Sequence, residues 1–202
     1  MCSGRRLHRR RLHIGKGKTI FLLPLLLFFV TDNLRASLAG KTIGIDPGHG
    51  GSDPGAVGCV AEEDFAVVTG LKLKALCEND GAGVVITRTG DDSVSLSNRT
   101  GLFNNSGCSL SISIHNNGAS AAAHGVEIYS CSQNVCCPGD GENLAGKILN
   151  RLLSEVKNDS RGTKECLDAG RGIHFSLVKY PRNPAALSEN YFVTNGDECA
   201  NI

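Results

Sequence analysis

The nine cysteines of the 202-residue sequence include no Cys-x-x-Cys pair, so the usual spacing of zinc fingers and thioredoxin-like redox centres is missing. There is no Gly-x-Ser-x-Gly elbow, which argues against serine hydrolase chemistry. The glycine-rich stretch near residue 50 lacks the Gly-Lys-Ser/Thr ending of a phosphate cradle. The longest apolar run, Ile20 to Val30, has 11 residues, whereas crossing ~30 Å of hydrocarbon takes about 20, so no permanent membrane span is expected. Neither an internal repeat nor a low-complexity linker is present. With 41% hydrophobic and 20% charged residues and no tryptophan, the composition is that of one ordinary globular domain, not a disordered, collagen-like or coiled-coil chain.

The net charge of +1 conceals a split. Residues 1–39 hold eight Lys or Arg and a single acid, Asp32, which leaves 13 of the 21 basic and 19 of the 20 acidic residues, a formal charge of −6, to residues 40–202. A phosphate-neutralising surface is therefore not supported, and no nucleic-acid partner is expected. The basic stretch to Lys18, the apolar run and the small residues Ser37-Leu38-Ala39 read as a secretory leader over 1–39, with export to the cell exterior or periplasm. Eight cysteines follow it (Cys59, Cys77, Cys108, Cys131, Cys136, Cys137, Cys166 and Cys199), and an even number in an exported domain predicts disulfides whose pairing the sequence does not choose.

Past the leader, β-type runs alternate with helical patterns: Thr42 to Asp46, a helix from about Glu62 to Asn79, Val84 to Arg88, and a segment through Arg99 to Asn104. Leu110 to His115, Val126 to Ser130, a helix from about Glu142 to Val156, Ile173 to Val178 and Ala185 to Glu189 complete the series. Continuous apolar strands such as VVIT and SISI fit a sheet covered on both faces. The fold class is α/β: a single domain over 40–202 with a twisted, mostly parallel sheet and helices on both faces. Acids at Glu62, Glu63 and Asp64 suit a helix amino terminus, and Gly81 suits its stop.

Four residues carry potential chemistry. His49 sits in IGIDPGHGGSDPGAVG, where a strand runs into a loop dense in glycine, and His115 ends the strand in SISIHNN. Ligands in open α/β sheets bind outside the carboxyl ends of strands, so two histidines at two such ends can converge. Glu189 ends the short apolar strand of PAALSENYF, and Glu62 stands in the first helical turn after the His49 loop. Two histidines and one carboxylate form a known catalytic zinc shell with an open position for water, and the remaining glutamate can then move protons. A cysteine peptidase using His124 or His174 is a second enzymatic class, although no cysteine has a convincing nucleophile setting.

These segments resemble the zinc-dependent N-acetylmuramoyl-L-alanine amidases of the amidase type 3 family, from about Lys41 to Glu198. DPGHGGSDPGAVG matches the first metal-ligand loop, and EEDFAVV, 19 residues before Gly81 in DGAGVVITR, matches the second ligand. SISIHNN matches the third, PAALSENYFVTN the catalytic stretch, and GVEIYS and RGI later landmarks; Arg88, Leu96, Arg99 and Asn104 also fall on the pattern. The resemblance implies Zn2+ held by His49, Glu62 and His115, with Glu63 the alternative in a shifted register, and Glu189 as the catalytic acid–base. It implies hydrolysis of the amide joining N-acetylmuramic acid to L-alanine of peptidoglycan by a monomeric enzyme. An open site is expected, because Cys131 to Gly141 is too short to hold the blocking helix that some members carry. Ser188 beside the glutamate, the eight cysteines and an end at Ile202, before the terminal helix the family leads one to expect, depart from the pattern. A non-catalytic peptidoglycan-binding domain is the alternative they leave.

Overall fold

The computed structural model describes residues 37–137, 139–156, 158–166 and 175–202. Residues 1–36 of the leader, the RGI segment and His174 lie outside the described residues. Six strands form one sheet: β1 (Thr42–Pro47), β2 (Gly83–Ile86), β3 (Leu110–Asn117), β4 (Val126–Ser130), β5 (Ser160–Glu165) and β6 (Ala185–Phe192). Their order is β2-β1-β3-β6-β4-β5. The first four in that order are mutually parallel; β4 runs antiparallel to β6, and β5 runs parallel to β4. The sheet is thus mostly parallel, as expected, with one reversal.

Residue alternation decides which helices each face takes. Ile43, Ile45 and Ile114 point to α1 (Glu62–Asn79), with Phe65 and Leu73 packed against them. On the same face Val126, Ile128 and Ala186 meet α3 (Asp140–Glu155), which buries Gly141, Ala145 and Leu149 at helical spacing. The opposite face takes α2 (Leu96–Asn105) and the short α4 (Ser176–Lys179), through Phe103 and Leu177 in one cluster and Val178, Ala185 and Leu187 in another. Ser95 caps α2 by accepting from Asn98 N at 3.2 Å. The final turn, α5 (Gly196–Cys199), is capped by Asn195. Among the described residues no helix is long and apolar enough to cross a membrane.

Three sequence expectations change. The run ending at Val178 is not a strand where it is described: Ser176–Lys179 is a helical turn, because Leu177 and Val178 are buried at consecutive positions against two different clusters. Strand β5 was not anticipated, since SRGTKE is an edge strand with mostly exposed side chains and no apolar period. Finally, the expected disulfides are present but take up only four of the eight cysteines. Cys59–Cys199 and Cys131–Cys166 are bridged, whereas Cys77 and Cys108 are buried in the apolar core and Cys136 and Cys137 remain thiols.

The Cys59–Cys199 bridge spans 140 residues and, with the hydrogen bond from Cys59 N to Val193 O, ties the end of the His49 loop to the segment after β6. A closure of that length constrains the unfolded chain strongly. Cys199→Ser is expected to lower unfolding free energy by about 2–4 kcal/mol in urea titrations; an unchanged midpoint would show that the bridge contributes nothing.

Candidate metal centre

The parallel strands β1, β3 and β6 bring their carboxyl ends side by side, and the register pairs Pro47 with Ile114 and His115 with Glu189. The loop after β1 then turns sharply. His49 is the one non-glycine residue with positive φ, at 60°, among the described residues, a conformation that costs free energy and persists where surroundings impose it. Two buried arginines supply that constraint. Arg99 donates through Nη1 to Pro47 O at 2.6 Å and through Nη2 to His49 O at 2.5 Å, while Arg88 donates to Pro47 O at 3.1 Å and Gly48 O at 2.7 Å. Arg99 also pairs with Asp46, which is fully buried and accepts from Thr87 Oγ1 and Ser113 Oγ. Gly48 is required by close approach, since a Cβ there would run into the His115 ring.

Three side chains converge above this clamp. His49 Nε2 lies 3.1 Å from Glu62 Oε1 and 3.2 Å from His115 Nδ1, and His115 Nδ1 lies 2.8 Å from Glu62 Oε1. Donors bound to one tetrahedral ion at about 2.0–2.1 Å stand about 3.3 Å apart, so these three fit a shared metal ion with small adjustment. Glu62 is buried, with Oε2 accepting from Ala56 N at 2.8 Å and Oε1 from Asn116 N at 3.0 Å. Burial works against its charge, but hydrogen bonds from His115 and His49 outweigh it and hold the carboxyl well below the usual range. Glu63 does not share the site: its carboxyl faces Asp91 and its carbonyl accepts from Arg88.

The other face of the His49 ring is also fixed. Nδ1 lies 2.8 Å from Asp53 Oδ2, so a proton on Nδ1 leaves the Nε2 lone pair free for a metal. Burial lowers the His49 pKa, yet Glu62 and Asp53 together raise it to about 9. A metal must therefore displace a proton. Apparent metal affinity is expected to rise about tenfold per pH unit between pH 7 and 8 and to level off above about pH 9, measured by chelator competition. A flat profile would remove His49 from the ligand set.

Glu189, partly exposed as a residue, keeps its Oε2 shielded from solvent and without a hydrogen-bond partner among the described residues. Burial raises its pKa to about 7; the charges of Glu62 and Glu127 push the same way, while His115 and His49 oppose it. An acid–base group with that value is matched to neutral pH. Beneath the histidines a cleft of about 420 Å³ runs between the loop before α2 and α4, lined by Val94, Leu96, Phe175, Leu177 and Leu187. Asn104 fixes that wall by bonding Tyr180 O and Arg182 N.

Sequence reasoning passed over Glu127. It is buried beside Glu189 on β4, and it accepts from Asn117 Nδ2, Tyr129 OH and Arg161 Nε. GVEIYS signalled it, as an acid at an inward position of an otherwise apolar strand. A second group of possible ligands, Cys131, Glu165 and Cys166, is discounted because the two sulfurs are bonded to each other.

The chain is 33% identical to YqiI of Bacillus subtilis over 165 residues, covering 80% of this chain and 74% of that protein. It is 28% identical to the N-acetylmuramoyl-L-alanine amidase LytC of Bacillus subtilis, covering 86% of this chain and only 34% of LytC, about a third of that protein's length. The crystal structure of an N-acetylmuramoyl-L-alanine amidase from Clostridium difficile 630 superposes with a TM-score of 0.70 at 30% identity, covering 80% of this chain and 84% of that one. Residues 43–202 match the profile described as N-acetylmuramoyl-L-alanine amidase, and the chain therefore belongs to that family.

Proposed function

We propose that this chain, an amidase by family, hydrolyses the amide between N-acetylmuramic acid and L-alanine of peptidoglycan, with Zn2+ held by His49, Glu62 and His115 and with Glu189 as the acid–base. The observation that carries the reading is the convergence of three donor atoms within 3.2 Å of one another, on a strand end in register with a glutamate whose Oε2 lacks a partner among the described residues. A bound Zn2+ supplies Lewis acidity and draws the pKa of water toward about 7. Asp53 holds the His49 tautomer, and the Ala56 and Asn116 amides donate to the Glu62 carboxylate and fix its orientation. Glu189 takes the proton from the attacking water onto its carboxylate and returns it to the leaving amine nitrogen, a task for which a value near neutrality is suited. The cleft under α4 receives one side of the substrate. The leader-like segment supports action outside the membrane.

Purified peptidoglycan treated with the zinc-loaded protein is expected to release new L-alanine amino termini and no new reducing ends. Removing the metal with a chelator abolishes the release and added Zn2+ restores it. Any other new terminus, or activity indifferent to the chelator, would overturn the reading.

A further inference from the structure

The polar row of the site does not end at Glu189. Cross-strand register continues it from His115 on β3 through Glu189 on β6 to Glu127 on β4. The next strand, β5, places Arg161 against Glu127, with Nε donating to Oε2 at 2.8 Å. The two partners differ in exposure: the Glu127 side chain is 7% exposed and that of Arg161 is 42% exposed. Glu127 is saturated on its inner side, because its other oxygen accepts from Asn117 Nδ2 and Tyr129 OH, both at 2.9 Å. Although burial opposes its charge, Arg161, Asn117 and Tyr129 keep the carboxyl below its usual range, so it stays an anion that orients the arginine.

The guanidinium is held but not used up. Its carbon lies 5.0 Å from the centroid of the buried Phe192 ring, and the Gly125 turn packs on its stem. Nη1 makes only a long contact, 3.4 Å, to His124 O, and no described residue accepts from Nη2. Arg88 and Arg99, the other arginines near the site, spend their donors on backbone carbonyls and Asp46. One edge of a preoriented fork therefore faces solvent beside the catalytic row, in a domain whose formal charge is −6.

We propose that Arg161 binds a carboxylate of the substrate's peptide, so that the stem runs from the metal centre across β6 and β4 and the enzyme discriminates stem peptides by their charge. This rests on the amidase reading above. The reach is of the right order: Arg161 extends back from β5 to lie over Phe192 of β6, the neighbour of β3, so that about one to two strand spacings of roughly 5 Å separate the guanidinium from β3, and the carboxylate of the second stem residue lies two residues from the scissile bond, roughly 7 Å along an extended chain. That residue is a glutamate joined through its side chain, whose α-carboxylate is either free or amidated. The stem's terminal carboxylate offers the same chemistry from further out.

The test uses muramyl tripeptides in two pairs, one free or amidated at the second residue with the terminus amidated, the other free or amidated at the terminus with the second residue amidated. The zinc-loaded wild type is expected to cleave the acid of the first pair with kcat/KM about tenfold above its amide, mostly through KM, and to treat the second pair alike. Arg161→Gln brings the first ratio to about one with little loss on the amide, and Arg161→Lys restores part of it. Because Arg161→Gln leaves Glu127 unpaired, the Glu127→Gln/Arg161→Gln double variant is measured too and is expected to show the same loss of discrimination. Discrimination confined to the second pair, discrimination surviving in the variants, or equal rates for acid and amide in the wild type overturns the assignment. The two pairs share the doubly amidated compound, and failure of the wild type to cleave any of the three substrates overturns instead the amidase reading beneath it.

Discussion

Glu189→Gln is expected to lower kcat by about 10²–10⁴-fold while leaving the bound metal at wild-type stoichiometry. The three donor atoms belong to His49, Glu62 and His115, and none belongs to Glu189, which meets them only through strand register and charge. The amide keeps the shape of the carboxylate and cannot take a proton, so catalysis and metal retention separate. Stability provides an independent readout. Burial raises the Glu189 pKa from 4.5 to about 7, so the stability that its neutral form contributes is fully present below pH 4.5 and is lost as pH rises through 7. Glutamine has no charge to bury. At pH 8 the metal-free variant should therefore melt at or above the wild-type temperature, with no dependence traceable to position 189. Normal turnover by Glu189→Gln would remove the residue from the mechanism.

Why these residues were legible in the sequence, and others were not, follows from where their signals lie. His115 and Glu189 each interrupt an apolar run near the carboxyl end of a strand, and His49 follows another such run in a glycine-dense loop; strand period together with a charged or ring-bearing residue at its end is a local pattern. Glu62 is less distinct, because Glu63 beside it suits a helix amino terminus equally well. Only the fold turns one carboxylate toward His115 and the other toward Asp91. The polar edge strand β5 carries no apolar alternation, and with it Arg161 went unseen. Its pairing with Glu127 across 34 positions is a property of sheet order, which reverses direction between β6 and β4. The cysteines were read by compartment, yet Cys77 and Cys108 are packed as small apolar side chains in two separate clusters. Family pattern marked Arg88 and Arg99 without a role, because apart from the Arg99–Asp46 pair their partners are backbone carbonyls, which leave no trace in side-chain chemistry.

Arg99→Met is expected to destabilise the domain by about 3–5 kcal/mol, the scale for removing one member of a buried ion pair. That is a large share of the roughly 5–15 kcal/mol that holds a domain of this kind folded. Asp46, 1% exposed, would keep two hydroxyl donors but lose its cation, and the carbonyls of Val94, Pro47 and His49 would each lose an Arg99 donor. The two losses can be told apart. Asp46→Asn combined with Arg99→Met eliminates the unpaired buried charge, so unfolding free energy should recover in part. Nothing in the double variant restores the bond to His49 O, and the left-handed backbone at His49 (φ 60°) loses the one arginine contact made to that residue's own carbonyl, with Arg88 still holding Pro47 O and Gly48 O. Metal affinity should thus remain low when stability returns, with chelator competition as the readout. If affinity recovers together with stability, the arginine serves only to neutralise Asp46, and the orientation of His49 is set by Asp53 and Glu62 without it.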